Sequence, residues 1–159
     1  MGNALDVDLS EVEALAKKFE GAESVIHKKS KAFMHEAVLF FEGKTIDNTP
    51  VGATQELRNS IFSTVRGLGL GLEGIVASNA LHAELVELGT KPHWPPIAPL
   101  EYWADRKLGK PGLGFVIARK IAQRGTRAQK MFETALEEGR PILASKVGDF
   151  PAEILKALR

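Results

Sequence analysis

A chain of 159 residues with 44% hydrophobic and 26% charged side chains can bury one core, and this balance argues against both a disordered chain and a membrane protein. Its 21 basic and 20 acidic residues leave a formal net charge of +1, too small for a global field that would pull it to nucleic acid or an anionic membrane. Cysteine is absent, which removes disulfides, thiolate metal sites and a cysteine nucleophile together.

No apolar run approaches the roughly 20 residues of a bilayer span, and Met1 to Ser10 lacks the basic-then-apolar order of a secretory signal. The expectation is a soluble protein that stays in the cytoplasm where it is made. We read residues 1–159 as a single α+β domain with helix in excess. Residues 1–48 form a long helix, 49–100 a β-hairpin and proline-rich loop region, and 101–159 a helical part.

Ser10 and Glu13 form a capping-box pair, and Val12, Leu15, Phe19, Ala22 and Ile26 follow at helical three-four spacing. Phe33, Ala37, Phe40 and Phe41 carry the stripe to Asn48-Thr49-Pro50, where turn chemistry and the proline end it. A stripe on so long a helix needs a sheet or a neighbouring subunit to cover it. Ile61-Phe62-Ser63-Thr64-Val65 and Ile75-Val76-Ala77 are rich in β-branched residues and flank a glycine-rich turn, the pattern of an antiparallel hairpin with a mobile tip. A short helix from Ala80 to Leu88 is predicted to end at Gly89 as its C-cap, followed by an extended, proline-stiffened loop through Pro99. Pro99 suits the first position of a helix reaching Leu108, and Gly109 to Gly114 separates it from a helix through Val116, Ile117 and Ile121. The last third reads as helical, with a break at Gly139-Arg140-Pro141.

Catalytic and cofactor patterns fail on context. Gly69-Leu70-Gly71-Leu72-Glu73-Gly74 has dinucleotide-fingerprint spacing, but a strand pattern follows it where pyrophosphate binding requires a helix N-terminus. His27 and His35 are two helical turns apart, roughly 12 Å, too far to chelate one ion. His82, Glu84, Glu87 and His93 lack the helical pair spacing of a metal site, and Glu137-Glu138 do not converge as an acid-base pair. No enzyme, cofactor or metal is therefore expected. Charge is uneven: Glu11, Glu13 and Glu20 belong to an acidic start, whereas Arg119, Arg124 and Arg127 belong to a basic stretch, 106–130. That stretch could contact phosphates, which makes a nucleic-acid-binding module the alternative reading, but it has no interleaved aromatics. Trp94, Tyr102 and Trp103 are aromatic anchors for a core or a partner.

Three segments in fixed order resemble the tail-component and neck family of long-tailed bacteriophages, over residues 30–136. The first is Thr49-Pro50-Val51-Gly52 followed, after extra spacing, by Leu57-Arg58-Asn59-Ser60-Ile61. The second is His82-Ala83-Glu84-Leu85-Val86-Glu87-Leu88-Gly89-Thr90-Lys91-Pro92-His93, with His82 at the family's usual tyrosine. The third is Ile121 to Gly125-Thr126, then Phe132 and Ala135. The resemblance implies a structural neck or tail-completion subunit that forms a ring of six copies, or alternatively twelve, between connector and tail. It implies head-closure and tail-terminator or tail-tube proteins as partners, DNA passing through the lumen without specific binding, and a place in the virion after assembly in the host cytoplasm. In such a ring Glu11, Glu13 and Glu20 of one copy would meet Arg119, Arg124 and Arg127 of the next, with Trp94, Tyr102 and Trp103 at the interface.

Overall fold

Helix α1 spans Ser10–Asn48 and ends where the Asn-Thr-Pro stop predicts. The computed structural model describes residues 10–67 and 71–157, and within α1 the side chains of 13, 17 and 21 onward. The capping box and the hairpin tip at 68–70 lie outside what is described. Pro50 disfavours a helical Thr49, so α1 stops with unpaired carbonyls. Arg58 supplies the donors: Nε reaches the Thr49 carbonyl at 2.9 Å and Nη2 the Asp47 carbonyl at 3.3 Å. The buried Thr49 hydroxyl donates back to the Thr45 carbonyl at 2.6 Å.

After the single turn of α2 (Glu56–Asn59), strands β1 (Ile61–Arg66) and β2 (Glu73–Ser78) pair antiparallel in the register Ile61↔Ser78 to Arg66↔Glu73. The hairpin lies on α1. Gly74 comes so close that an added Cβ would sit 2.4 Å from a Val38 methyl. Gly67, before the tip, has φ +95, a conformation that glycine adopts without the steric penalty of a Cβ.

Helices α3 (Ala83–Leu88), α4 (Ile97–Leu108), α5 (Gly114–Arg124) and α6 (Met131–Ala157) complete the chain. The class is α+β. Helix α6 runs back along α1: Phe33 stacks on Phe150 at 4.8 Å, Lys44 pairs with Glu138 at 3.2 Å, and Lys146 pairs with Glu36. Leu57, Ala83 and Met131 form a buried cluster where α2, α3 and the start of α6 meet.

Three local expectations need correction. The break at Gly139-Arg140-Pro141 does not occur, and α6 continues through both Pro141 and Pro151. An internal proline costs roughly 3 kcal/mol, but burial along α1 holds the helix, with Gly139 letting the Phe41 ring approach. Helix α4 starts at Ile97, so Pro99 is its third residue; the first-turn N–H groups have no intrahelical acceptor, and a proline there loses no bond. Helix α3 begins at Ala83 rather than Ala80, while Gly89 is its C-cap as expected, with φ 72 and ψ 179 turning the chain into an extended path.

Candidate assembly interface

Residues 91–125 leave and rejoin the rest of the chain at one point. Thr90 and Thr126 form an isolated antiparallel bridge, exchanging N–H to carbonyl bonds of 3.2 and 3.1 Å. Their hydroxyls lie 3.0 Å apart. Each threonine follows a glycine with positive φ, Gly89 at +72 and Gly125 at +70. A Cβ on Gly89 would meet the Thr126 oxygen at 2.5 Å, and one on Gly125 the Thr90 oxygen at 1.9 Å, so only glycine fits at either place. Beyond this base, α4 and α5 pack chiefly on one another as a helical arm. Glu101 ties the pair together by accepting the backbone N–H groups of Gly112 and, at 2.7 Å, Gly114.

The arm gives the predicted aromatics different neighbours. Trp94 is 55% exposed and lies edge-on to Phe115 of α5, ring centroids 5.8 Å apart. The Tyr102 hydroxyl accepts from Arg106 at 2.9 Å, with the guanidinium 5.8 Å from the ring centre. Trp103 faces the corner after α1, lining an open pocket with Pro50, Val51, Leu57, His82 and Val86. Phe115 and Val116, both more than half exposed, extend the apolar surface of the arm. Phe115 was not singled out from the sequence, because its pairing with Trp94 spans 21 residues and leaves no local pattern.

Of the acidic residues, Glu13 is exposed on α1, and the side chains of Glu11 and Glu20 lie outside the described set. Arg119 and Arg124 are exposed on α5, while Arg127 follows the helix end at Gly125. At about 100° per residue Arg119 and Arg124 point some 140° apart, so the three arginines make no single helical stripe. Among the described residues none of the three takes part in an ion pair.

Candidate chemical groups have structural neighbours. Glu87 caps α6, its carboxylate accepting the N–H groups of Phe132 and Glu133 at 3.0 and 3.1 Å, where the helix dipole favours negative charge. His93 Nδ1 lies 3.0 Å from the Lys91 carbonyl. Gly74 is inside β2, where a dinucleotide fingerprint would require a helix N-terminus. Among the described residues no three histidines or carboxylates gather as a metal site. The motif residues are likewise architectural: Arg58 closes α1, the Ser60 hydroxyl meets that of Ser78 at 2.7 Å, Leu57 and Ala83 are core, and Gly89 with Thr90 builds the arm base.

Residues 13–89 match the family model described as "Bacteriophage HK97-gp10, putative tail-component". The match takes in most of α1, the Thr-Pro corner, the hairpin and α3, and so begins earlier than residue 30. It ends at Gly89, leaving the third resembling segment, from Ile121 to Ala135, outside it. No curated protein and no solved structure gives a significant match to the chain.

Proposed function

We propose that the chain, whose residues 13–89 match the model of the HK97-gp10-like phage tail components, is a non-catalytic subunit of the head-tail joint. In this reading each chain acts as one unit in a ring of six copies, or alternatively twelve, bridging the connector or head-closure protein and the tail terminator or tube. DNA passes through the lumen without specific binding. The subunit assembles in the bacterial cytoplasm and remains in the virion. Trp94, Tyr102 and Trp103 make contacts to partners, and Glu11, Glu13 and Glu20 of one copy face Arg119, Arg124 and Arg127 of the next.

One observation carries the reading: the motif residues maintain the scaffold, while the arm on that scaffold holds large apolar side chains out in solvent. Exposed aromatics on a pinned element suit contact with a partner rather than turnover of a substrate. The test is production of phage particles lacking the chain, complemented by wild type or Trp94→Ala. Wild type should restore joined, infectious particles and be detected in them, while W94A folds but fails to join heads to tails. Joined particles without the chain would overturn the assignment. Arg119, Arg124 and Arg127, without ion pairs among the described residues, keep a nucleic-acid-binding role as the second reading, and it predicts a DNA affinity that falls steeply with salt.

A further inference from the structure

Residues 91–125, the arm, hold seven bases and two acids, a formal +5, so the other 124 residues carry −4 of the chain's net +1. Arm and scaffold are therefore opposite in sign. The arm's apolar surface sits within its positive charge: Trp94 lies edge-on to Phe115, Val116 is next to it, and all three are more than half exposed. Lys120 follows Val116 by four residues on α5, the spacing that brings two side chains to one helix face. It is exposed and takes part in no ion pair among the described residues.

Between the hairpin and α6 runs an open apolar groove of about 340 Å³, floored by Met34 and Val38 of α1 and walled by Val76 of β2 and by Leu136 and Leu143 of α6. The first turns of α6, Met131 to Glu138, contain Glu133, Glu137 and Glu138 and no base. Glu133 pairs with Lys130 and Glu138 with Lys44, while Glu137, exposed beside Leu136, has no ion pair among the described residues. We infer that this groove receives the ridge of Trp94, Phe115 and Val116 from the arm of a second copy, with Lys120 of that arm against Glu137. The inference rests on the ring reading above and names the surfaces that meet in it.

Charge and chemistry select this occupant. In its own chain the ridge does not line the groove, and the arm that carries it is pinned at the Thr90–Thr126 bridge. Aliphatic walls favour large apolar side chains and penalise the phosphates of a nucleic acid, which would have to shed water there. Opposite net charges draw the arm of one copy to the scaffold of another, while contacts of arm with arm or scaffold with scaffold are disfavoured. Ridge and groove are different patches of one subunit, so each copy gives one and receives one, as a closed ring requires. Glu13 lies 25 residues before Val38 on α1, roughly 37 Å at 1.5 Å per residue, so the ridge and the arginines of one arm address different neighbours.

The chain has no cysteine, so introduced pairs report without background. Particles are assembled with full-length protein carrying both Val116→Cys and Leu136→Cys, positions exposed enough to leave folding intact, and are oxidised mildly. A non-reducing gel should show a ladder of disulfide-linked dimers, trimers and higher multiples. Its yield should be at least tenfold above that of a control with Val116→Cys and Leu39→Cys, since Leu39 is exposed on α1 and does not line the groove. Adding Glu137→Lys should lower the yield about two- to fivefold, the range of one exposed ion pair, and adding Lys120→Glu as well should restore it. A yield no greater than with L39C, or a loss that K120E does not restore, overturns the inference. Purified V116C and L136C chains, mixed and oxidised, separate the two readings. Linkage there by a chain absent from virions rejects the joint role and keeps the contact, whereas a chain present in virions but never linked rejects the contact alone.

Discussion

Thr90 and Thr126 face each other across a bridge in which both backbone amides and both hydroxyls are paired, 36 residues apart in sequence. The glycines before them are placed so that each would drive a Cβ into the other strand's carbonyl. Gly125→Ala and Gly89→Ala should therefore destabilise the protein by at least about 1–2 kcal/mol each, the cost of a left-handed φ alone, with the clash added. Denaturant midpoints measure this. A neutral Gly125→Ala would mean that the base is not held as described.

Two glycines in helices should respond with opposite sign. Gly148 has open space where a Cβ would go, so Gly148→Ala should stabilise α6 by about 0.5–1 kcal/mol through helix propensity. At Gly139 a Cβ would lie 2.2 Å from a Phe41 ring carbon. Overpacking costs about 1–3 kcal/mol against a propensity gain of at most about 1, so Gly139→Ala should be net destabilising. Thermal unfolding of the two variants side by side decides the point.

Removing the Glu87 cap should cost about 0.5–2 kcal/mol, the range for lost N-terminal helix caps. Glu87→Ala also loses the contact of α3 with α6, whereas Glu87→Gln keeps an acceptor oxygen and should retain part of the stability. Hydrogen exchange at Phe132 and Glu133 should quicken in both variants, more in E87A. Unchanged protection would detach Glu87 from that role.

Lys146 is held above the ordinary 10.5 by its hydrogen bond to Glu36, then by the charge of that carboxylate. A folded value above the unfolded one gives stability that is complete below 10.5 and disappears as pH rises through the raised value. Alkaline unfolding should therefore include a component from the α1–α6 seam that Lys146→Met abolishes, while the exposed pair changes neutral stability little. An alkaline profile identical in K146M would contradict this.

The charge pairing between copies is tested by reversal. Changing Glu11, Glu13 and Glu20 to lysine should impair assembly, and changing Arg119, Arg124 and Arg127 to glutamate in the same chain should partly restore it. Exposed pairs contribute roughly 0–1 kcal/mol each, so assembly should weaken gradually with salt. Full assembly by the triple lysine variant would reject the pairing.

What the sequence disclosed follows the range of the interactions. The end of α1, the hairpin and the Gly109 stop were legible because prolines, glycine caps and period-two alternation act within a few residues. The uninterrupted α6 was not, because it is held past Pro141 by packing along α1, an element far earlier in the chain. Glu87 showed no role in the sequence, because the N–H group it accepts from lies 45 residues on, in the first turn of α6. Trp94 and Arg127 were found as residue types, but the partner of the first and the position of the second beyond the helix end depend on tertiary folding.

The bridge at Thr90 makes the arm an insertion in the topological sense. Its two ends are neighbours, about 5.5 Å apart for a doubly bonded antiparallel pair, so a short turn could join them and leave the register of everything else unchanged. The family match stops at Gly89, one residue before that junction, and leaves out α6 as well as the arm. Scaffold and arm can therefore diverge separately: the first is constrained by its own packing, and the second can be exchanged, lengthened or resurfaced to fit a different neighbour without a compensating change in the core.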